Sequence, residues 1–477
     1  MALAVQDNID FSHAYQVPRD LPAGCFRTYD VRGPVAEDAI TSDLAYAIGL
    51  GFGSMVREQG QDTVQMARDT RLSGPQLSHA LCCGLMDAGV HVIYLGVVPS
   101  PVLYFSTCHL ATTSGIMLTA SHNPVHHNGF KMVLAGKTLS TQGVQDLYQK
   151  ILTQDFAKGV GTYREQSIDA AYLADITHRL GPVARPLKVV VDAGNGVAGK
   201  LAPALYRQLG CEVIELYCEL DGHFPHHHPD PTVVDNLQDL IAAVKTHHAD
   251  IGLAFDGDAD RLGVVTNTGQ IIWPDRQMML FAKELLGRVP GATIIYDVKC
   301  SYHLPRVIKA HGGHPVLWRT GHSLIKAKLF AENALLAGEL SGHIFFRDNW
   351  YGFDDGLYVG ARLLRLLSEQ AISCDAVFAT LPDSMHTPEL KIAIKEEDKA
   401  RFMERFFSEN NFEAEEVITI DGVRVHYPGG WFLVRPSNTS AYLTLRIEAD
   451  TATQLAGLKT RLKRYLLHVD PKLDIDF

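Results

Sequence analysis

The sequence predicts three related α/β domains with mixed sheets, followed by a smaller α+β domain. Two observations support this: a unit of strand, loop, helix and strand occurs three times, and the last hundred residues follow a different pattern. The units span 63–96, 187–217 and 292–321. In each, a β-branched run ends at an aspartate, an amphipathic stretch closes on a glycine, and a second β-branched run follows. Any α/β protein could yield one such unit by chance, but three, about a domain length apart, favour three similar domains.

The C-terminal part begins after Leu381-Pro382-Asp383, a plausible linker. Residues 417–425 predict a hairpin around Asp421-Gly422, a strong turn dipeptide, and 451–467 predict a helix. Strands followed by a helix are typical of an α+β domain with an antiparallel sheet. We therefore expect domains at 1–167, 168–270, 271–382 and 383–477.

Composition narrows the class of protein. The 477 residues carry 43 basic and 54 acidic side chains, a net charge of −11, which disfavours nucleic-acid binding. The N-terminus lacks the pattern of a signal peptide, and no run approaches the roughly 18 apolar residues of a membrane span. The eight cysteines are dispersed and predict reduced thiols in a cytoplasmic protein. The sequence leaves the oligomeric state open and is compatible with a monomer.

Ser121 lies in the segment TASHNP, directly after an apolar run. Pro124 keeps Asn123 out of the helical region, so the serine is expected on a constrained loop after a strand. The G-x-S-x-G pattern of hydrolases is absent, and neighbouring side chains point in different directions, so His122 is expected to be a poor base for Ser121. Taken alone, the motif favours a capping or turn serine over a nucleophile.

The segment DGDADR brings Asp256, Asp258 and Asp260 onto a short loop. Three converging carboxylates suit a hard divalent cation, and Arg261 and Asn267 stand where an EF-hand needs glycine and glutamate. The pattern predicts a Mg²⁺ site of the phosphoryl-transfer type, with a solvated acidic turn as the alternative.

Three further segments bear on the site. GELSGH at 338–343 offers donors and acceptors for sugar hydroxyls, and RPSNTS at 435–440 offers an arginine and loop amides for a phosphate. Either could be an ordinary polar loop when taken alone. The run 226–228 of three histidines predicts a polar loop, because consecutive side chains cannot all face one ion.

Together, TASHNP, DGDADR, GELSGH and RPSNTS resemble, in this order, the four signature loops of the α-D-phosphohexomutases. FRTYDVRG, RDTRLSG, DAGNG, RTGHS and WYGFDDG also match, so the resemblance covers most of the chain and lies nearest the bacterial phosphomannomutase/phosphoglucomutase group. It implies four domains around a central cleft. It also implies an enzyme that moves phosphate between the 1 and 6 positions of a hexose through a phosphoserine and a reorienting hexose 1,6-bisphosphate, with one Mg²⁺.

The resemblance also implies residue roles. Ser121, Lys131, His343 and Arg261 would be catalytic, with the acid and base roles of Lys131 and His343 left open. The metal would be held by Ser121, Asp256, Asp258 and Asp260. Substrate contacts would come from Tyr29, Arg32, His122, Lys299, His322, Glu339, Ser341, Arg435, Ser437, Asn438 and Thr439.

Three alternatives stay open at this point. A phosphoglucosamine mutase shares the serine and metal loops, but usually has glutamine at the position of Leu340 and lacks WYGFDDG. A strict phosphoglucomutase is harder to exclude, because glucose and mannose are C2 epimers that differ in the orientation of one hydroxyl. A silent phosphosugar-binding protein would be expected to have lost the serine or an aspartate, and all are present.

Overall fold

The computed structural model describes residues 10–437 and 441–477. The chain divides into two compact units. The first comprises the residues up to Pro274 together with Ser341–Phe378, and the second comprises Asp275–Leu340 and Ala379–Phe477. The predicted domain boundaries stay a prediction. Residues 341–378, expected in the third domain, belong to the first unit.

The first sheet belongs to the first unit and has the order β1-β5-β4-β2-β3-β7, with β6 paired to β5. Its strands are β1 Val31–Pro34, β2 Thr63–Arg68, β3 His91–Val97, β4 Gly115–Leu118, β5 His127–Leu134, β6 Lys137–Thr138 and β7 Tyr163–Glu165. The helices of this part are α1 Ser42–Glu58, α2 Gly74–Asp87, α3 Ser100–His109 and α4 Gln142–Thr153. β2 is parallel to β3 and β4, whereas β5 is antiparallel to β1 and β4.

The second sheet also belongs to the first unit and has the order β12-β11-β10-β8-β9. Its strands are β8 Lys188–Asp192, β9 Glu212–Leu216, β10 Ile251–Phe255, β11 Leu262–Thr266 and β12 Ile271–Ile272, and its helices are α5 Asp169–Leu180, α6 Ala198–Gln208 and α7 Gln238–Thr246. β12 pairs with β11, so it lies in this sheet just past the expected boundary at residue 270.

In the second unit, β13 Thr293–Asp297 lies between β14 His314–Trp318 and β15 Leu336–Gly338, parallel to both. The helices here are α8 Pro274–Arg288, α9 His303–Ala310 and α10 His322–Ala331. The next segment contributes β16 Ile344–Phe346 and α11 Gly356–Ser368 to the first unit, and α12 Cys374–Ala379 follows.

The last sheet is antiparallel, in the order β17-β22-β21-β20-β19 with β18 on β22. Its strands are β17 Met385–His386, β18 Leu390–Ala393, β19 Glu416–Ile418, β20 Val423–Tyr427, β21 Gly430–Pro436 and β22 Tyr442–Ala449, with helices α13 Lys399–Glu409 and α14 Ala452–Val469. The predicted hairpin and C-terminal helix are therefore confirmed.

The three repeats are confirmed as β2-α2-β3, β8-α6-β9 and β13-α9-β14, each with its two strands parallel. The closing residues Gly89, Gly210 and Gly312 have φ of 79°, 98° and 80°, a conformation that favours glycine after a helix. Multi-domain α/β architecture follows, with an α+β domain at the C-terminal end. No helix in the described part of the chain combines the length and apolar character needed to cross a bilayer.

Candidate active site

The serine loop follows β4, and the order β1-β5-β4 brings three predicted site residues to one place. The strand register sets Arg32 opposite Gly129 and Lys131 opposite Met117. Arg32 donates to Ala120 O at 3.3 Å, and to the side chain of Asn123 at 3.0 Å. Its other nitrogen pairs with Asp30 at 2.6 Å. Sheet topology thus joins the loop after β4 to residues on β1 and β5.

The backbone of the serine loop is held by Arg71, which is fully buried. Its guanidinium donates to the carbonyls of Ser121 and Asn123 at 2.7 Å each. It also donates to the carbonyls of Pro124 at 2.7 Å and His127 at 3.0 Å, and pairs with Asp69 at 3.2 Å. The planar guanidinium thus binds four carbonyls of the loop at once and fixes its path, and the carbonyl of the buried Ser121 would lose a donor without it.

Ser121 has a φ of 50°, the left-handed region, and its side chain is 1% exposed. Oγ donates to Asp256 Oδ2 at 2.5 Å and lies 3.1 Å from His122 Nδ1. The expectation that His122 points away from Ser121 is wrong, because it assumed an ordinary extended backbone that the left-handed turn replaces. Burial, followed by the nearby charges of Arg261 and Arg32, lowers the pKa of His122 well below its ordinary value.

The histidine run behaves as predicted. His226 contacts Asn195 at 2.8 Å, His227 contacts Asp192 at 3.1 Å, and His228 contacts the carbonyl of His122. The three rings turn to three different partners. The His228 contact adds support to the serine loop that the sequence did not predict.

The three aspartates occupy the hairpin loop between β10 and β11, where Phe255 pairs with Leu262. Asp256, Asp258 and Asp260 are each 0% exposed, and each offers a carboxylate oxygen within 4.8 Å of the other two. Lys131 Nζ donates to Asp258 at 2.6 Å and to Asp260 at 2.5 Å. Ser100, at the N-terminus of α3, donates to Asp258 at 2.5 Å.

The close packing of these charged groups shifts the pKa values of Asp256 and Asp258 in opposite directions. Burial, with the charges of Asp260 and Asp258, raises the pKa of Asp256 well above its ordinary value. Burial acts in the same direction on Asp258, but the charge and hydrogen bond of Lys131 outweigh it and lower the pKa of that group. Burial would lower the pKa of Lys131, but the two aspartates outweigh it and hold that pKa well above the usual range.

The three carboxylates are suitable ligands for a hard divalent cation. They offer only oxygen ligands, and Asp258 Oδ1 is buried with no hydrogen-bond donor among the described residues. Asp258 accepts from Lys131 and Ser100 through Oδ2, so Oδ1 is available to a cation. The acidic turn proposed as an alternative would be solvated, and full burial excludes it.

His343 lies against this loop and is 3% exposed. Arg261 Nε donates to His343 Nε2 at 3.0 Å. The opposite ring nitrogen, Nδ1, lies 3.0 Å from Asp354 Oδ2 and 3.4 Å from Asp260 Oδ1. Arg261 also lies 3.7 Å from Asp256, so it connects the histidine to the metal-loop carboxylates.

The WYGFDDG segment holds this region in place through aromatic packing. Trp350 stacks on Tyr358 with ring centroids 4.5 Å apart, and its Nε1 donates to Asp355 at 3.2 Å. Tyr172 on α5 donates to the same carboxylate at 2.8 Å. Burial raises the pKa of Asp355 to about 7. The segment therefore packs against α5, the helix that precedes β8, and carries Asp354 towards His343.

Other predicted site residues lie in the second unit. Lys299 pairs with Glu389 at 3.1 Å, and Arg435 pairs with Asp421 at 3.2 Å. Asp421 also accepts from the amide of Thr320 at 2.9 Å, which links the RTGHS segment to Arg435. Three further predicted residues lie in this unit. The Glu339 carboxylate accepts a hydrogen bond from the amide of Gly321, and the Ser437 carbonyl accepts one from Lys399. His322 is buried.

Two of the remaining predicted residues, Ser341 and Tyr29, are located by their burial and their position in the chain. Ser341 is half-buried at the start of the segment that belongs to the first unit, and Tyr29 is buried beside Asp30. Asn438 and Thr439 lie outside the described residues.

Sequence reasoning missed Arg71, Ser100, Asp354, Asp421 and Glu389. Arg71 lies in RDTRLSG and Asp354 lies in WYGFDDG, so the resemblance of these segments is the only sequence signal for either residue. Arg71 contacts Ser121, 50 positions away in the chain, and Ser100 contacts Asp258, 158 positions away, and no local pattern connects such pairs.

Four family models match the chain in order. They are phosphoglucomutase/phosphomannomutase alpha/beta/alpha domain I at residues 23–158, domain II at 170–269, domain III at 273–385 and the C-terminal domain at 389–464. The chain therefore belongs to the α-D-phosphohexomutase family.

Its similarity extends to the bacterial phosphomannomutase/phosphoglucomutase group. A Pseudomonas aeruginosa protein of that name is 50% identical over 457 residues, which cover 96% of this chain and 98% of the relative. A Neisseria gonorrhoeae phosphoglucomutase is 48% identical over 442 residues, covering 92% of this chain and 95% of the relative. The crystal structure of a phosphoglucomutase/phosphomannomutase family protein from Burkholderia thailandensis has a TM-score of 0.90 at 48% identity and covers 96% of this chain and 100% of that one.

Proposed function

We propose that this protein is a phosphomannomutase/phosphoglucomutase, which interconverts hexose 1-phosphate and hexose 6-phosphate with mannose and glucose phosphates as substrates. The observation that carries the proposal is the contact of 2.5 Å between Ser121 Oγ and Asp256, which joins a nucleophile loop to a buried group of three carboxylates. A turn serine would have no reason to face a cation site. Family membership and relatives at about half identity support the same reaction.

Ser121 is the proposed phosphate carrier. In the first half-reaction the bond from phosphorus to Ser121 Oγ breaks while a bond from phosphorus to the free sugar hydroxyl forms, giving the hexose 1,6-bisphosphate. The intermediate then turns round, and its other phosphate returns to Ser121. One proton must leave the attacking hydroxyl and one must reach the serine oxygen, and we assign these transfers to His343 and Lys131.

Mg²⁺ is the proposed cation, held by Asp256, Asp258, Asp260 and the serine oxygen or its phosphate. When bound, it supplies positive charge that neutralises part of the charge on the transferring phosphoryl group. Lys131 orders the carboxylates, since it donates to Asp258 and Asp260 at once. Arg261 would contact the transferring phosphate through its guanidinium.

The remaining residues would bind the sugar and the phosphate that stays in place. Tyr29, Arg32 and His122 would support the serine loop and the ligand beside it. Ser341 and Glu339 would read sugar hydroxyls. The phosphate that is not transferred would be held by Arg435, Ser437, Asn438 and Thr439, with Lys299 and His322 as further contacts. Fixing that phosphate orients the sugar for attack.

We also propose that the enzyme acts in the cytoplasm on free phosphosugars. All eight cysteines are free thiols, as expected of a reducing compartment.

Kinetics with three substrates test the proposal. We expect kcat/KM on mannose 1-phosphate and glucose 1-phosphate to exceed that on glucosamine 1-phosphate. Dominant turnover of glucosamine 1-phosphate would instead identify a phosphoglucosamine mutase. EDTA should abolish turnover and Mg²⁺ should restore it, and activity that survives chelation would contradict the cation site.

Intact-mass measurement tests the carrier. The purified protein should show an addition of about 80 Da for one phosphate, which Ser121→Ala removes together with turnover. Ser167→Ala, at an exposed serine, is the matched control and should retain both. Full turnover by Ser121→Ala would contradict the assignment.

A further inference from the structure

A cavity of about 580 Å³ opens at the surface beside α14, and none of the residues assigned to the proposed reaction lines it. Its volume lies within the roughly 300–1,000 Å³ of pockets that bind small molecules. The chain after α14 folds back to form one wall, because Lys463 Nζ donates to the carbonyl of Ile475 at 3.0 Å. Ile475 is 8% exposed and packs into the core of the C-terminal sheet, which holds Phe477 beside the cavity.

Four basic side chains of α14 line this cavity: Lys459, Lys463, Arg464 and His468. Side chains four residues apart are neighbours on a helix surface, so Lys459 lies next to Lys463, and Arg464 lies next to His468. The two lysines are half-buried, whereas Arg464 and His468 are exposed. The helix therefore turns positive charge towards one concave surface.

The usual roles of surface cations do not account for these four. Within the described residues none of them forms an ion pair: Lys463 binds a carbonyl, and Arg464 lies 5.3 Å from the centre of the next residue's ring. The nearby Glu409 is already paired with Arg405 at 2.7 Å. Basic residues in the last turn of a helix offset its dipole, but only His468 lies in that turn. The charge of the other three is available to an anion.

The rest of the lining is apolar except for one hydroxyl. Leu467 and Phe477 supply aliphatic and aromatic surface, and Thr460 supplies the hydroxyl. Among the described residues, no carboxylate or amide side chain lines the cavity, and Asp474 and Asp476 on the same tail are exposed and lie outside the lining. A sugar would need such polar groups to bind its hydroxyls, whereas a planar base needs an apolar and aromatic surface.

We propose that this cavity is a binding site for a nucleoside diphosphate, formed by residues other than those of the active site. The lysines, Arg464 and His468 bind the diphosphate, and the guanidinium can donate two hydrogen bonds to one phosphate. The base stacks on the ring of Phe477. A docking surface for a protein would need a larger apolar area than Leu467 and Phe477 provide.

Isothermal titration calorimetry with ADP tests the site on the full-length protein. EDTA is present throughout, so that no divalent cation can carry the nucleotide to the three aspartates. We expect saturable binding with a Kd below about 1 mM. Absence of binding at that concentration would overturn the proposal.

Lys459→Gln and Arg464→Gln test the cations. Each removes one charge-assisted contact, so the Kd for ADP should rise about 10- to 100-fold, while Tm and mutase turnover stay at their wild-type values. Lys472→Gln is the control of equal charge, because Lys472 is exposed and lies outside the lining, and it should leave the Kd unchanged. Equal weakening by all three substitutions would show a general attraction to net charge and would contradict the site.

Pyrophosphate separates the contacts of the phosphates from that of the base. ADP should bind about 5- to 150-fold more tightly than pyrophosphate, the factor that stacking of one base supplies. Phe477→Leu should remove this advantage and leave pyrophosphate binding unchanged. Equal affinity of the wild-type protein for ADP and pyrophosphate would show an anion site with no preference for a nucleoside, and the proposal would fail.

Competition with glucose 1-phosphate distinguishes this cavity from the proposed substrate site. Saturating glucose 1-phosphate should leave the Kd for ADP unchanged. Displacement of ADP by the sugar phosphate would place the nucleotide in the substrate site instead and would refute a second site. This measurement and the ADP titrations need no turnover, so the outcome does not depend on the proposed reaction.

Discussion

The backbones of the serine and metal loops approach each other closely at Gly257, between two of the aspartates. A Cβ added there would lie 2.5 Å from the carbonyl oxygen of Ser121, whereas ordinary van der Waals contact begins at 3.4 Å. The loops would have to separate by about 0.9 Å. Neither can move freely, because Arg71 holds the same carbonyl of Ser121 and Val197 donates to the carbonyl of Gly257 at 3.3 Å.

We therefore predict that Gly257→Ala lowers kcat about 100-fold, because a displacement of about 1 Å at a reacting group costs that much. Overpacking should lower the free energy of unfolding by about 1–3 kcal/mol. Conversion of glucose 1-phosphate, coupled to oxidation of the 6-phosphate, measures the first effect, and thermal denaturation measures the second.

Gly457→Ala is the control for this experiment. Gly457 lies inside α14 with no heavy atom within 4 Å of an added Cβ, so alanine should stabilise the helix by about 0.5–1 kcal/mol and leave turnover unchanged. If Gly257→Ala turned over at the wild-type rate with an unchanged Tm, the two loops could not be in the contact that the geometry shows.

Two further predictions concern residues that support the site. Arg71→Met should lower the free energy of unfolding by about 3–5 kcal/mol, because it leaves Asp69 as a buried charge without its partner; a loss below about 1 kcal/mol in a urea titration would contradict this. For His227, burial acts to lower the pKa, but the hydrogen bond and charge of Asp192 outweigh it and raise the pKa above the usual value of about 6.5. The pair therefore adds stability that is complete below pH of about 6.5 and lost as pH rises through the folded-state pKa. Asp192→Asn should lower the His227 pKa in an NMR titration, and an unchanged pKa would refute the pairing.

Much of the fold could be predicted because its signals are local. Each repeat is one β-branched run, one helix and one more run, and the closing glycine marks the helix end within a few residues. The hairpin at Asp421-Gly422 is likewise set by two adjacent residues. The three aspartates converge because they share one short loop between β10 and β11, so their spacing alone predicted the cluster.

The prediction from neighbouring residues was wrong where the backbone dihedral φ is positive, at Ser121. His122 was expected to turn away from Ser121, but a φ of 50° at Ser121 brings the ring to 3.1 Å from Oγ. Arg71 donates to the carbonyl of Ser121 from 50 positions away in the chain, so no local pattern reveals this support of the loop.

The sequence by itself determined which segments carry chemistry: the serine, the three aspartates, and the sugar and phosphate segments. Only the tertiary structure decided which side chains support them. Arg71 under the serine, Ser100 on Asp258 and Asp354 beside His343 are set by strand order, register and the packing of Trp350. The physical reason is that a buried charged group is stable only when it is paired or hydrogen-bonded. The residue that pairs with it can lie far away in the sequence, so the pairing depends on the whole fold.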